Sequence, residues 1–122
     1  MPSYWIVGAT VQTIDMSGPF IEGGFWFADQ PNLQIEVGRI QVGDRLIIKK
    51  GFASPHIEIK AIGTVKKIEN FAGDLLGIRM LFVSWLDLRS ENRIIPSRGM
   101  FSAVHGPFAK NDDPINDVFA LL

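Results

Sequence analysis

Trp5, Trp26 and Trp85 stand on three separate stretches of the chain, each inside a short run of bulky residues, with Tyr4, Phe25, Phe27 and Phe52 as further rings. Flat, polarizable rings stack on a nucleobase or enclose a methyl group without needing a hydrogen-bond partner in the ring plane. Lys49, Lys50 and Lys60 lie between the second and third tryptophans. At the lip of an aromatic pocket they would contact a phosphate, which positions a ligand without specifying it. The competing expectation is packing, because rings on strands ordinarily fill a core. Trp85, flanked by Phe82, Val83 and Leu86, leans that way, whereas Trp5 and Trp26, nearer glycine-rich turns, are placed equally well in a pocket wall or a core.

Reaction chemistry is thinner. The chain has no cysteine, which removes disulfides, thiolate metal sites and a cysteine nucleophile. Its two histidines, His56 in a Ser-Pro-His loop and His105 in a Val-His-Gly-Pro turn, are not spaced as joint metal ligands or as part of a triad. No phosphate-cradling glycine loop opens a helix, and no paired carboxylates form a distinctive motif. The expectation is a binding domain without catalytic residues, metal or cofactor.

The elements that must position these residues read as β. Tyr4 to Gly8 is a β-branched and aromatic run expected to form a central first strand. Gly18-Pro19 and Gly23-Gly24 restrict any helix near Phe20 to a turn or two before a strand at Phe25-Trp26-Phe27. Leu33 to Val37 is too short for either period to decide between strand and helix. Val42-Gly43-Asp44 is a turn leading into a strand over Arg45 to Gly51, and Phe52 to Pro55 is a loop. Ile57 to Ile62 alternates apolar and charged residues, as a half-buried strand requires. Thr64 to Ile68 continues it past Gly63, which is expected to mark a bulge or bend, and the pair resembles a hairpin or meander. A turn over Asn70 to Asp74, one bent strand over Leu76 to Leu88, short strands at Ile94-Ile95 and Phe101 to Val104, and a C-terminal helix from Pro114 capped by Asp113 complete the chain.

At 122 residues, 47% of them hydrophobic and 20% charged, this is one globular domain over residues 1–122 rather than two domains or a disordered segment. The fold class is mainly β (α+β), a bent mixed barrel of about six or seven strands, closed or nearly closed, with short helices. No run of about 18 apolar residues and no secretion signal is seen, so a cytoplasmic location away from membranes is expected. The net charge is −1, but residues 1–38 carry four acids and no Lys or Arg, whereas residues 39–67 sum to +5. If the central strands are neighbours, that segment forms a basic face; otherwise its lysines decorate a solvated one.

The order of Tyr4-Trp5-Ile6-Val7-Gly8, Phe20-Ile21-Glu22-Gly23-Gly24-Phe25-Trp26, Val42 to Lys49, Ile57 to Val65 and His105-Gly106-Pro107-Phe108 resembles the PUA-like, EVE-type domain. That domain occurs alone or at the N-terminus of McrB-type AAA+ restriction proteins. The resemblance implies a bent mixed β-barrel that reads DNA or RNA, taking a modified base extruded from the stack into an aromatic cage. It points to Trp5, Trp26 and Trp85 as cage walls and Lys49 at the lip, with Phe52, Lys60 and His105 as further ligand contacts. Without the motor, such a domain stands alone or works with an AAA+ or nuclease partner protein. The alternative is a PUA-like scaffold for protein association, including a homodimer, or for a small ligand.

Overall fold

The structure, a computed structural model, describes residues 2–51, 55–70 and 78–120. Phe52 and the turn expected at Asn70 to Asp74 therefore fall wholly or mostly outside the described residues. Where bulky residues recur without polar interruption, strands form that are buried on both sides: β1 (Tyr4–Gly8) and β5 (Arg45–Gly51) pair in parallel, with Tyr4 opposite Arg45 and Gly8 opposite Lys49. Consecutive β1 side chains point to opposite faces. Trp5 and Val7 enter one core, Ile6 the other.

The alternating segment becomes β6 (His56–Asn70), a single strand of 15 residues rather than a hairpin. It is paired antiparallel with β5 on one side and with β7 (Arg79–Asp87) and β8 (Arg93–Pro96) on the other. Its irregularities fall at the Ile48/Lys49 pairing and between Val65 and Lys67, on either side of Gly63 rather than at it. A Cβ on Gly63 would come within 2.4 Å of Val83 Cγ1 and 2.6 Å of Trp85 Cε3, so this glycine permits close approach of β7.

With β4 (Phe25–Trp26) beside β7 and β9 (Val104–Phe108) beside β1, the mixed sheet has seven strands in the order β4-β7-β6-β5-β1-β9, with β8 attached to β6. The mainly β class, strand number and short helices are those read from the sequence. Closure is not: β4 and β9 end the hydrogen-bonded path without meeting, and the sheet stays open. A separate two-stranded ribbon, β2 (Thr10–Val11) with β3 (Ile14–Asp15), follows β1. The strand expected at Phe101 begins only at Val104.

Each face of the sheet has its own core. Helix α1 (Ser17–Gly23) ends at Gly24, whose φ of 74° is the left-handed conformation that glycine favours. Together with the short α2 (Gln34–Val37), which settles the ambiguous Leu33 to Val37 as a 3-10 turn running into helix, it covers one face through Phe20, Leu33 and Val37. Helix α3 (Asp113–Ala120) covers the other through Ile115 and Val118. No helix among the described residues is long and apolar enough to cross a membrane.

Candidate ligand-binding site

Beyond the carboxyl ends of β1 and β5, the one parallel pair among the described strands, lies a cavity of about 410 Å³. Ligand pockets commonly span about 300–1,000 Å³. Gly8 makes its floor and is pinned on both sides: its amide donates to the Ala103 carbonyl at 2.8 Å, and its carbonyl accepts the Trp26 indole N–H at 2.9 Å. The next carbonyl, of Ala9, accepts the Met16 amide at 2.7 Å, which draws the start of α1 over the same space. Lys49, Lys50, Thr10, Gln30 and Ser17 bring polar groups to the wall. Phe101 stands at the rim with 73% of its surface exposed.

The electrostatics of this cavity are uneven. Lys50 pairs with Asp15 at 3.2 Å, and Asp15 also accepts the Ser17 amide (2.9 Å) and hydroxyl (2.7 Å). Despite the opposing effect of its partial burial, these hydrogen bonds and the Lys50 charge hold the Asp15 carboxyl below its ordinary value. Lys49 makes no ion pair among the described residues, and burial of its stem lowers its ammonium pKa. Across β1, His105 on β9 accepts the Ser102 amide on Nε2 at 3.0 Å. That nitrogen therefore presents a lone pair, and burial followed by the nearby Lys49 charge lowers the pKa of the ring. The arrangement can hold a polar, flat or anionic group. Among the described residues no cluster of three His, Asp or Glu side chains could hold a metal ion.

The tryptophans do not come together as one cage. Trp5 and Trp26 are each 1% exposed and belong to the same core. Trp26 acts on the cavity only by fixing its floor. Trp5 lies at the opposite end of β1, donating its indole N–H to Asp44 at 3.0 Å. Trp85 is half-buried in a separate depression between β6 and β7, beside Tyr4, Leu86 and Phe119, with its Nε1 buried and without an acceptor among the described residues. Lys60 is engaged by Glu58 at 3.0 Å. Of the expected contacts, Lys49 lines the cavity and His105 flanks it. Phe52 lies outside the described residues.

The +5 segment does not form one free basic face, because Lys50, Lys60 and Lys67 pair with Asp15, Glu58 and Glu69. Sequence reasoning placed Lys50 beside the pocket but missed Phe101, Thr10 and Gln30 as liners. The signal for Phe101 was a lone ring two residues past the Arg98-Gly99 turn. No protein-family model, curated protein or solved structure matches the chain.

Proposed function

We propose that the chain is a non-catalytic nucleic-acid-reading module of the PUA-like, EVE type, and that the cavity at the carboxyl ends of β1 and β5 receives a single extruded base, modified by a small group. The observation that carries this reading is the cavity itself: pocket-sized, walled by neutral polar groups, the Lys50–Asp15 pair and a lysine without an ion pair among the described residues, and rimmed by an exposed phenylalanine. Base extrusion costs a few kcal/mol of unstacking, and a ring at the rim offsets part of it by stacking on the neighbouring base. Lys49, free of any carboxylate among the described residues, meets the phosphate. An AAA+ or nuclease partner protein would supply further reaction chemistry.

Fluorescence titration with methylated and unmodified single-stranded oligonucleotides at low salt tests this. Phe101→Ala is expected to weaken binding roughly tenfold or more while changing stability by less than about 0.5 kcal/mol, as surface substitutions do. Failure of both oligonucleotides to bind, or an unchanged affinity in the variant, would overturn the reading. A second reading, a scaffold for protein association, is favoured by the core positions of Trp5 and Trp26. It predicts a homodimer by light scattering and no oligonucleotide affinity.

A further inference from the structure

At the other end of the same strand pair lies a larger cleft, of about 640 Å³, where the chain enters β1 and β5. Two arginines flank it, Arg39 and Arg45, and neither forms an ion pair among the described residues. The one carboxylate in the cleft wall, Asp44, is buried and already occupied. Its Oδ1 accepts the Ser3 amide at 3.1 Å, and its Oδ2 accepts the Trp5 indole N–H at 3.0 Å and the Gln41 amide at 2.9 Å. With these three donors on it, Asp44 organises the loop and has no hydrogen-bonded partner among the arginines.

The fold fixes the Arg45 guanidinium and places Arg39 beside it. Arg45 donates from Nη1 to the Gly43 carbonyl. Arg39 lies over the Trp5 ring, its Cζ 6.0 Å from the centroid, at the outer reach of a cation–π contact. The loop carrying Arg39 is braced from below by Arg79 of β7, which donates to the carbonyls of Val37 and Ile40. A planar fork with spare donors is the group best suited to an oxyanion.

The segment from Ser102 to Pro107 runs from one cavity to the other. Ser102 and Ala103, immediately before β9, line the first, and Pro107, within β9, lines the second. The two ends of the five-residue β1 are four rises apart, about 13 Å. We propose that the cleft is a second, phosphate-binding site, in which Arg39 and Arg45 grip a backbone phosphate of the same nucleic-acid strand whose base enters the first cavity, with the strand following the β9 edge. This inference rests on the nucleic-acid reading above. It adds where the backbone goes.

The test compares the native chain with the double variant Arg39→Ala/Arg45→Ala in salt titrations of single-stranded oligonucleotide binding. The expected result is a loss of roughly tenfold in affinity and a slope of log affinity against log salt that is shallower by about 0.7, the release from one phosphate. Arg39→Lys/Arg45→Lys should keep the slope and lose affinity, because the charge stays and the fork goes. Oligonucleotide binding with unchanged affinity and slope in the alanine variant overturns the second site and leaves the first standing. If the native chain binds no oligonucleotide, the nucleic-acid reading fails, and the cleft is judged by inorganic phosphate. A phosphate-induced shift of the Trp5 indole N–H signal in NMR, lost in the double variant, supports an oxyanion site there; no shift overturns it.

Discussion

At the amino end of β1 the Trp5 indole meets a carboxylate, and at its carboxyl end the Trp26 indole meets a backbone carbonyl. Both rings are core residues, and both anchor the chain that walls a cavity. The amino end concentrates its order in one side chain, since Asp44 alone collects three N–H groups from residues 3, 5 and 41. The carboxyl end divides its order between backbone pairs, Gly8 with Ala103 and Ala9 with Met16, and the exposed Asp15, which holds Ser17 and Lys50. One end is therefore intolerant of a single change in its organiser. The other tolerates more change in its lining but holds Lys49 and His105 where their charged forms are disfavoured.

The largest effect that sharpens this contrast is expected at Asp44. Asp44→Ala strips the acceptor from three N–H donors and should cost about 3 kcal/mol or more in urea unfolding. A loss under about 1 kcal/mol would erase the distinction between the two ends. Trp26→Phe keeps a ring but orphans the Gly8 carbonyl and leaves space, for an expected loss of about 1–3 kcal/mol together with weakened ligand binding. Unchanged binding in that variant would show that the floor does not depend on the indole.

Lys49→Met should go the other way. Burial lowers the pKa of Lys49, so the folded state penalises its charged form. That penalty is fully present at neutral pH and is relieved only as pH rises through the folded pKa towards the ordinary value. Removing the charge should raise the melting temperature while reducing oligonucleotide affinity, the trade-off expected of a ligand-facing group. A lower melting temperature would show that Lys49 supports the fold.

The smallest effect is expected at His105, whose folded pKa is lowered by burial and by the Lys49 charge. A histidine with a depressed folded pKa contributes its stability above the unfolded value, about 6.5, and loses it as pH falls towards the folded value. His105→Gln, which keeps an acceptor for the Ser102 amide, should flatten that part of the stability profile as pH falls below about 6.5. A profile identical to that of the native chain would remove His105 from the electrostatics of the carboxyl end.

Much of the sheet was legible because its signals are local. The alternation in β6 and the β-branched runs of β1 and β5 each decide their own conformation. The tryptophans were not legible in the same way. Period two says that Trp5 and Val7 share a face, but what covers that face arrives from Phe20 and Val37, on helices separated from β1 in sequence. Closure failed as an expectation because it depends on β4 and β9 meeting, a relation no short window contains. Phe101 was read into a strand that starts three residues later. There, the Ser102 amide is satisfied by the His105 ring, and the phenylalanine is left outside the sheet. The basic segment was legible as composition only, since three of its lysines find carboxylates elsewhere in the chain or two residues away.

The His-Gly-Pro-Phe run on β9 meets the amino end at Gly106. Its φ is 143°, and a Cβ there would come within 2.7 Å of Trp5 Cε3 and 2.9 Å of the Tyr4 carbonyl oxygen. Backbone and indole are in direct contact, so position 106 has an alphabet of one letter although it is only half-buried. Any larger residue would lift the edge strand from Trp5 and, because β9 carries Pro107 at one cavity and continues from Ser102 and Ala103 at the other, would disturb both in a single step.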